Sequence, residues 1–384
     1  MNILLRLCGS RGRICNPGIL ILLLLCLVFF EIMVIITGIM TPGMKLDIGQ
    51  APLTHLAGGG SQGKAGHRPF ALPGATLPGR LGYEDYEAWI NTDRGHLKEI
   101  ASLAWENQGQ AVALLQQEIR AIRDNIIKIE QTGAAYVDPR RQYRIYDPST
   151  TGRLYALHAG LKAREWLIAS GFSLSPGAIW NSERVWDEGH KLQPTPPQKY
   201  AQVSEVARAL NEIDLPDEAF IGYRVYLLPY SMGNTSGEGG PGYSIIASEP
   251  AGVDLIPNQV YLTVTHEFGH HLHLTYIGED YASNPMLWRK YMDIRGIPRW
   301  SSDGEVKTAA WKNSPEEAFA EDVKVLLGGR EAREDAYLAG YGDPRTDPAK
   351  AKRLAAFFRQ LVSTGTGRES YALARGAHRS PWLD

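Results

Sequence analysis

The sequence predicts an α+β fold, with a single membrane-crossing segment and a long amphipathic helix ahead of the main domain. Three observations carry this. Gly18 to Met40 is an almost unbroken apolar run, long enough to span a bilayer, which takes about 20 such residues. From Ala101 to Ile129 apolar residues recur at alternating three- and four-residue steps, the period of one helix face. Further on, two strand-like segments, Phe220–Leu228 and Tyr243–Ala247, flank a glycine-rich stretch and precede a helical segment that contains His-Glu-Phe-Gly-His.

The apolar run holds one acid, Glu31, and follows Arg6, Arg11 and Arg13. The positive-inside rule then puts residues 1–17 in the cytoplasm, makes 18–40 a single-pass anchor and sends the rest outside. A cleaved signal peptide, giving a secreted protein, is the alternative. The run is long for that, and no small-residue cleavage site follows it. Residues 41–82 are rich in Gly and Pro and read as a flexible tether. All three cysteines, Cys8, Cys15 and Cys26, lie before or within the anchor. The main domain therefore has no thiol nucleophile, no disulfide and no cysteine metal ligand. A net charge of −2 leaves no broad basic field for nucleic acid.

Residues 83–132 read as one long helix, with Ala101, Trp105, Val112, Leu115, Ile119, Ile122, Ile126 and Ile129 on its apolar stripe and a gap at Gln108. The plainer reading packs this helix on the domain that follows. The other uses it for self-association. Gly95 and Gly109 weaken it as a stalk. The catalytic domain is assigned to 133–384. Within it Leu161–Ser170 reads as a short helix, Ser173–Pro197 as a loop with Trp180 and Trp186, and Gln198–Ile213 as an amphipathic helix. Ser231–Gly242 reads as a glycine loop. A helix is expected from Pro257 to about Tyr276, and another from Ser314, where Ser-Pro-Glu-Glu supplies an N-cap, a proline at the first position and an early acid.

The chemistry sits in His266-Glu267-Phe268-Gly269-His270. Residues four apart share a helix face, so His266 and His270 can reach one zinc ion. Glu267 is turned about 100° away and can take a proton from a water that the zinc has acidified. With only 10 histidines in the chain, a chance match is rare. Leu262, Val264, Phe268 and Leu272 give the helix the apolar face it needs for burial. Catalytic zinc takes three protein ligands and keeps one open position. The extended three-histidine motif fails, because His273 and Tyr276 stand where its Gly and His would be. A glutamate about twenty residues on would fall at Lys290. The better third ligand is Glu317 in SPEEAFAED. Glu321, one turn later, can orient a ligand histidine by accepting its second ring N–H. Glu316 is the rival ligand but has no such partner four residues on. The plainer reading of these acids is a charged helix start favoured by the dipole. His273 reads as a supporting or core residue.

These residues resemble the anthrax lethal factor-like zinc metallopeptidases, which include the Pro-Pro endopeptidases. The likeness rests on HEFGH, on EAFAE at Glu317–Glu321, and on the distance between them, over about Phe220 to Leu327. It implies a zincin-like α+β domain, with His266, His270 and Glu317 as zinc ligands and Glu267 as general base. It also implies an extended peptide held along an edge strand at Tyr243–Ala247, with Tyr243 and Ser244 touching substrate. The family's oxyanion-stabilising tyrosine is missing from Thr308–Trp311; Tyr243 and Tyr291 are the substitutes considered. The function expected is a zinc-dependent endopeptidase acting on extracytoplasmic proteins, and the alternative is an impaired zincin-fold binding or regulatory module tethered to the membrane.

Overall fold

The computed structural model describes residues 83–180, 197–232, 236–250, 258–278, 283–297, 314–364 and 380–383. The elements in order are α1 (Tyr83–Thr132), β1 (Tyr136–Val137), β2 (Arg144–Tyr146), α2 (Pro148–Ala169), α3 (Pro176–Trp180), β3 (Pro197–Lys199), α4 (Val203–Asn211), β4 (Arg224–Leu227), β5 (Gly237–Gly240), β6 (Tyr243–Ile246), β7 (Glu249–Pro250), α5 (Gln259–Tyr276), α6 (Pro285–Arg295), α7 (Pro315–Leu327), α8 (Arg330–Glu334) and α9 (Pro348–Ser363). The fold is α+β. The expected cytoplasmic segment 1–17, anchor 18–40 and tether 41–82 lie outside the described residues. Among the described residues no helix is long and apolar enough to cross a membrane.

The main sheet runs β1-β2-β4-β6-β5. β4 is parallel to both its neighbours, while β1 and β5 close the two edges as antiparallel strands. Successive side chains of a strand face opposite ways, and β4 uses both directions. Val225 and Leu227 enter the core formed with α4, α5, α7 and α9. Tyr226 and Leu228 enter the core formed with α1 and α2. A strand buried on both faces reads as a continuous apolar run rather than an alternation, which is how the sequence VYLL behaves.

The single long helix expected over 83–132 is instead a hairpin. Asn107 leaves helical geometry (φ −152°, ψ 86°), and its side chain accepts from the Gln110 N–H at 3.0 Å, capping the second arm. His96 and Glu118 meet at 2.7 Å, whereas a continuous helix would hold them about 33 Å apart. The gap at Gln108 thus marks the turn. Trp105, placed on the apolar stripe from sequence, is 89% exposed near this tip. Of the rest of the stripe, Leu115, Ile122 and Ile126 are inaccessible against α2, while Ala101, Val112, Ile119 and Ile129 are half-buried.

Helix α2 is much longer than the Leu161–Ser170 expected. Asp147 caps it by accepting from Thr150 N–H at 2.7 Å, and Pro148 opens it. Buried on most sides, it shows no amphipathic period. Its Arg164, with no accessible surface, reaches both arms of the α1 hairpin. It contacts Asp93 through two bonds of 3.0 and 2.6 Å and Glu118 at 2.7 Å. Other boundaries also differ. The amphipathic helix starts at Val203, not Gln198, because Pro197–Lys199 pairs with β7. The loop expected over Ser173–Pro197 begins with α3. The strand expected over Phe220–Leu228 is confined to β4, with Gly222 (φ +80°) in the turn before it. The glycine loop contains β5, and α6 and α9 have no counterpart in the sequence reading.

Removing the Arg164 cation would leave the buried Asp93 carboxylate without its charge partner. Arg164→Ala is expected to destabilise the fold by roughly 3–5 kcal/mol, read as a lower denaturant midpoint. An unchanged midpoint would show that this network does not hold the hairpin.

Candidate metal centre

Helix α5 buries Val264, Phe268 and Leu272 in the core while His266 and His270 reach a partly open face. Helix α7 crosses it closely at Gly269. A Cβ placed on Gly269 would lie 2.6 Å from Ala320 Cα, so any larger residue there would push the helices apart. That approach is what lets Glu317 reach the histidines. Ser314 caps α7 by accepting from the Glu317 N–H at 3.4 Å. Behind α7, Phe319 packs against Tyr291, tilted, and edge-on against Phe358, at ring distances of 5.0 and 4.9 Å.

Three donor atoms converge. His266 Nε2 and His270 Nε2 are 3.1 Å apart. Glu317 Oε2 lies 3.2 Å from the first and 3.4 Å from the second. Tetrahedral zinc with bonds of about 2.0–2.1 Å separates its ligand atoms by roughly 3.3 Å. Glu317 Oε2 is also buried with no hydrogen bond of proper geometry, an acceptor that a cation would satisfy. Two imidazoles and one carboxylate are a fitting donor set for zinc. This is the group of three His, Cys, Asp or Glu residues among the described residues whose donor atoms gather closely enough for one ion. The rival Glu316 is bonded to the Ser314 hydroxyl and stays out of the cluster.

Each histidine has a partner for its second nitrogen. His266 Nδ1 meets Glu321 Oε1 at 2.9 Å. Glu321 is held in turn by the Lys324 ammonium at 3.0 Å and by the Leu338 N–H at 3.0 Å. His270 Nδ1 faces His273 Nε2 at 3.1 Å. Burial, helped by the charge of His270, drives the His273 pKa down to about 3, so His273 is a neutral acceptor. Sequence reading placed Glu321 in this role and left His273 open. It missed Lys324 and Leu338, for which a buried basic residue one turn after Glu321 is the available signal.

Without a metal, protons hold the cluster. Burial opposes charge on His266, but the nearby Glu317 and Glu321 carboxylates outweigh it and raise its pKa to about 10. Burial likewise opposes ionisation of Glu317, yet the two imidazoles bring it down to about 2. Glu321 is also lowered, with His266 and Lys324 outweighing its burial.

The structure revises the expected substrate strand. Tyr243–Ile246 is not an edge: β6 is paired on both sides, to β4 and to β5. Ser244 is fully buried and bonded to the Tyr223 hydroxyl, so it cannot touch a substrate. Tyr243 packs with its ring against Gly240. The edge strand is β5, taken for loop because three of its four residues are glycine. Those glycines are required by contact. A Cβ on Gly237 would lie 2.9 Å from Glu267 Cγ, and one on Gly239 would lie 2.6 Å from His270 Cβ. β5 therefore rests directly on the Glu267 face of α5. Tyr291 is also excluded from the site. It is inaccessible, and its hydroxyl donates to Asp322 at 2.9 Å. Thr308–Trp311 lies outside the described residues. A cavity of about 610 Å³ opens elsewhere, near the starts of α2 and α4, and none of its lining residues belongs to the metal centre.

Comparison of the chain with family models, with curated proteins and with solved structures finds no match in any of the three.

The charge states set a pH window for the metal-free protein. The raised His266 pKa contributes stability that is complete below its unfolded value of 6.5 and is lost as pH rises through about 10. The lowered Glu317 pKa contributes above its unfolded value of 4.5 and is lost as pH falls toward about 2. Together these two groups contribute most to the metal-free protein at about pH 4.5–6.5, and zinc binding at pH 8 should expel a proton, seen as a buffer-dependent heat. A binding heat that is the same in buffers of different ionisation enthalpy would contradict this. Gly269→Val should keep the helical content but lose zinc; retained zinc would show that the Gly269–Ala320 contact does not set the site.

Proposed function

We propose that this chain is a zinc-dependent endopeptidase of zincin-like fold that hydrolyses peptide bonds in extracytoplasmic proteins, tethered to the membrane through residues 18–40. The observation that carries the reading is the near-tetrahedral spacing of His266, His270 and Glu317 beside the buried Glu267. A zinc ion held there would polarise a peptide carbonyl and acidify a water molecule.

The chain's own groups do the rest. His266, His270 and Glu317 hold the ion, while Glu321 and His273 fix the ring orientations. Glu267 takes a proton from the attacking water and returns it to the leaving amine. Its carboxylate lies under Gly237 and Gly239, where a peptide paired to β5 would run. β5 closes the sheet, so its outer N–H and C=O groups can bind an extended chain by main-chain hydrogen bonds. Glycines at Gly237 and Gly239 bring that chain close to Glu267. The tether rests on the apolar run and the arginines before it. Self-association through 83–132 is a further proposal: Leu115, Ile122 and Ile126 of its stripe are covered within the chain, while Trp105 is exposed.

A second reading, a zinc-holding module without turnover, rests on the lack of tyrosine at Thr308–Trp311. One experiment separates the two. The full chain and Glu267→Gln are assayed for metal and for cleavage of a mixed peptide library. Both should hold about one zinc, and the variant should lose at least about 100-fold in rate. Zinc without cleavage in the wild type would favour the binding module. A variant as active as wild type would remove Glu267 from the mechanism.

A further inference from the structure

Resting on the peptidase reading, we infer that His271 is a positioning residue that holds edge strand β5 at its working height over Glu267, and so sets affinity for extended peptide rather than for zinc. His271 follows a proposed ligand in sequence but points elsewhere. Its ring is 1% exposed, lying 4.6 Å from the Tyr223 ring and 5.3 Å from the Phe268 ring, centre to centre.

Its bonds determine its tautomer. The Gly242 N–H donates to His271 Nδ1 at 2.9 Å, and the Thr275 hydroxyl approaches the same nitrogen at 3.0 Å. Nδ1 is therefore the acceptor, and the proton sits on Nε2, which faces the Ala219 carbonyl at 3.2 Å. One neutral imidazole thus joins α5 to two separate turns.

Gly242 is where this matters. With Pro241 it forms the two-residue connection between β5 and β6, since Gly240 pairs with Tyr243. Its φ of +86° after a proline matches the residue pattern of a type II turn. Such turns splay hairpin strands, because their twist opposes that of the sheet. The glycines of β5 add no side-chain packing to correct this. The turn is pinned from outside instead. Its N–H goes to His271, and its C=O accepts from the Arg224 N–H of β4 at 3.0 Å. His270 and His271 therefore tie the metal and the substrate strand to adjacent residues of one helix.

The side chain can be divided by substitution. Asn retains an acceptor near the Nδ1 position and loses the bond to Ala219. Gln reaches the Nε2 position and leaves Gly242 without an acceptor. Full-length wild type, His271→Asn and His271→Gln are loaded with zinc and titrated calorimetrically with two probes: acetohydroxamate, which binds only the metal, and a hydroxamate carrying a three-residue peptide. His271→Gln should bind the peptidyl probe about tenfold more weakly, the worth of one lost buried hydrogen bond. Its zinc content and acetohydroxamate affinity should stay at wild-type level, and His271→Asn should bind both probes like the wild type. Loss of zinc in His271→Gln, or equal weakening of both probes, would assign His271 a merely structural role and overturn the inference. Exchange of the Gly242 amide in the wild type reports without any mutation. The peptidyl probe should slow it and acetohydroxamate should not; equal effects would also overturn the inference. A wild type that binds neither zinc nor either probe would instead remove the peptidase reading on which this rests.

Discussion

The backbone contact between α5 and α7 at Gly269 and Ala320 is the constraint on which the site depends. Helix pairs usually stand about 8–10 Å apart, with side chains between them. Here one glycine and one alanine bring main chain against main chain. Only at that separation does the Glu317 carboxylate come within 3.4 Å of both imidazoles. The opposite approach, from β5, obeys the same rule, with Gly237 and Gly239 set against Glu267 and His270. Helix α5 is thus clasped on two sides by elements without bulk. The aromatic cluster of Trp288, Tyr291, Phe319, Phe357 and Phe358 supplies the apolar burial that holds α7 in place.

That geometry works against stability. Bringing a carboxylate and two imidazoles together out of water has a desolvation cost that proton sharing offsets only in part. His266 must be charged at neutral pH and Glu317 ionised for the metal-free cluster to be tolerated. The proposed divalent cation would replace those protons and satisfy all three donors together. The surrounding groups support that proposal. Lys324 and the Leu338 N–H keep Glu321 ionised and aimed at His266, while a neutral His273 accepts from His270. A cluster kept only for stability would have little use for such oriented partners.

Much of this was legible in sequence, for specific reasons. The i, i+4 spacings of His266 with His270 and of Glu317 with Glu321 are fixed by helix geometry alone, so the members of the cluster could be named before any fold was known. The Ser314 cap was equally local. Other features depend on partners the sequence does not reveal. Asn107 breaks α1 between two stretches of strong helical character, and its only trace is the missed step at Gln108. Helix α2 is covered on most sides and lacks a polar face to give a period. Strand β5 looks like loop because the reason for its glycines is the helix surface beneath them. The same blindness put the edge at Tyr243–Ala247, since strand order is a long-range property.

The most direct test is X-ray absorption at the zinc edge on the full-length protein. The account predicts one zinc with two imidazole nitrogens and carboxylate or water oxygens at about 2.0–2.1 Å, and with one imidazole fewer in His270→Ala. A sample that binds no zinc, or whose zinc environment is identical in His270→Ala, would contradict it.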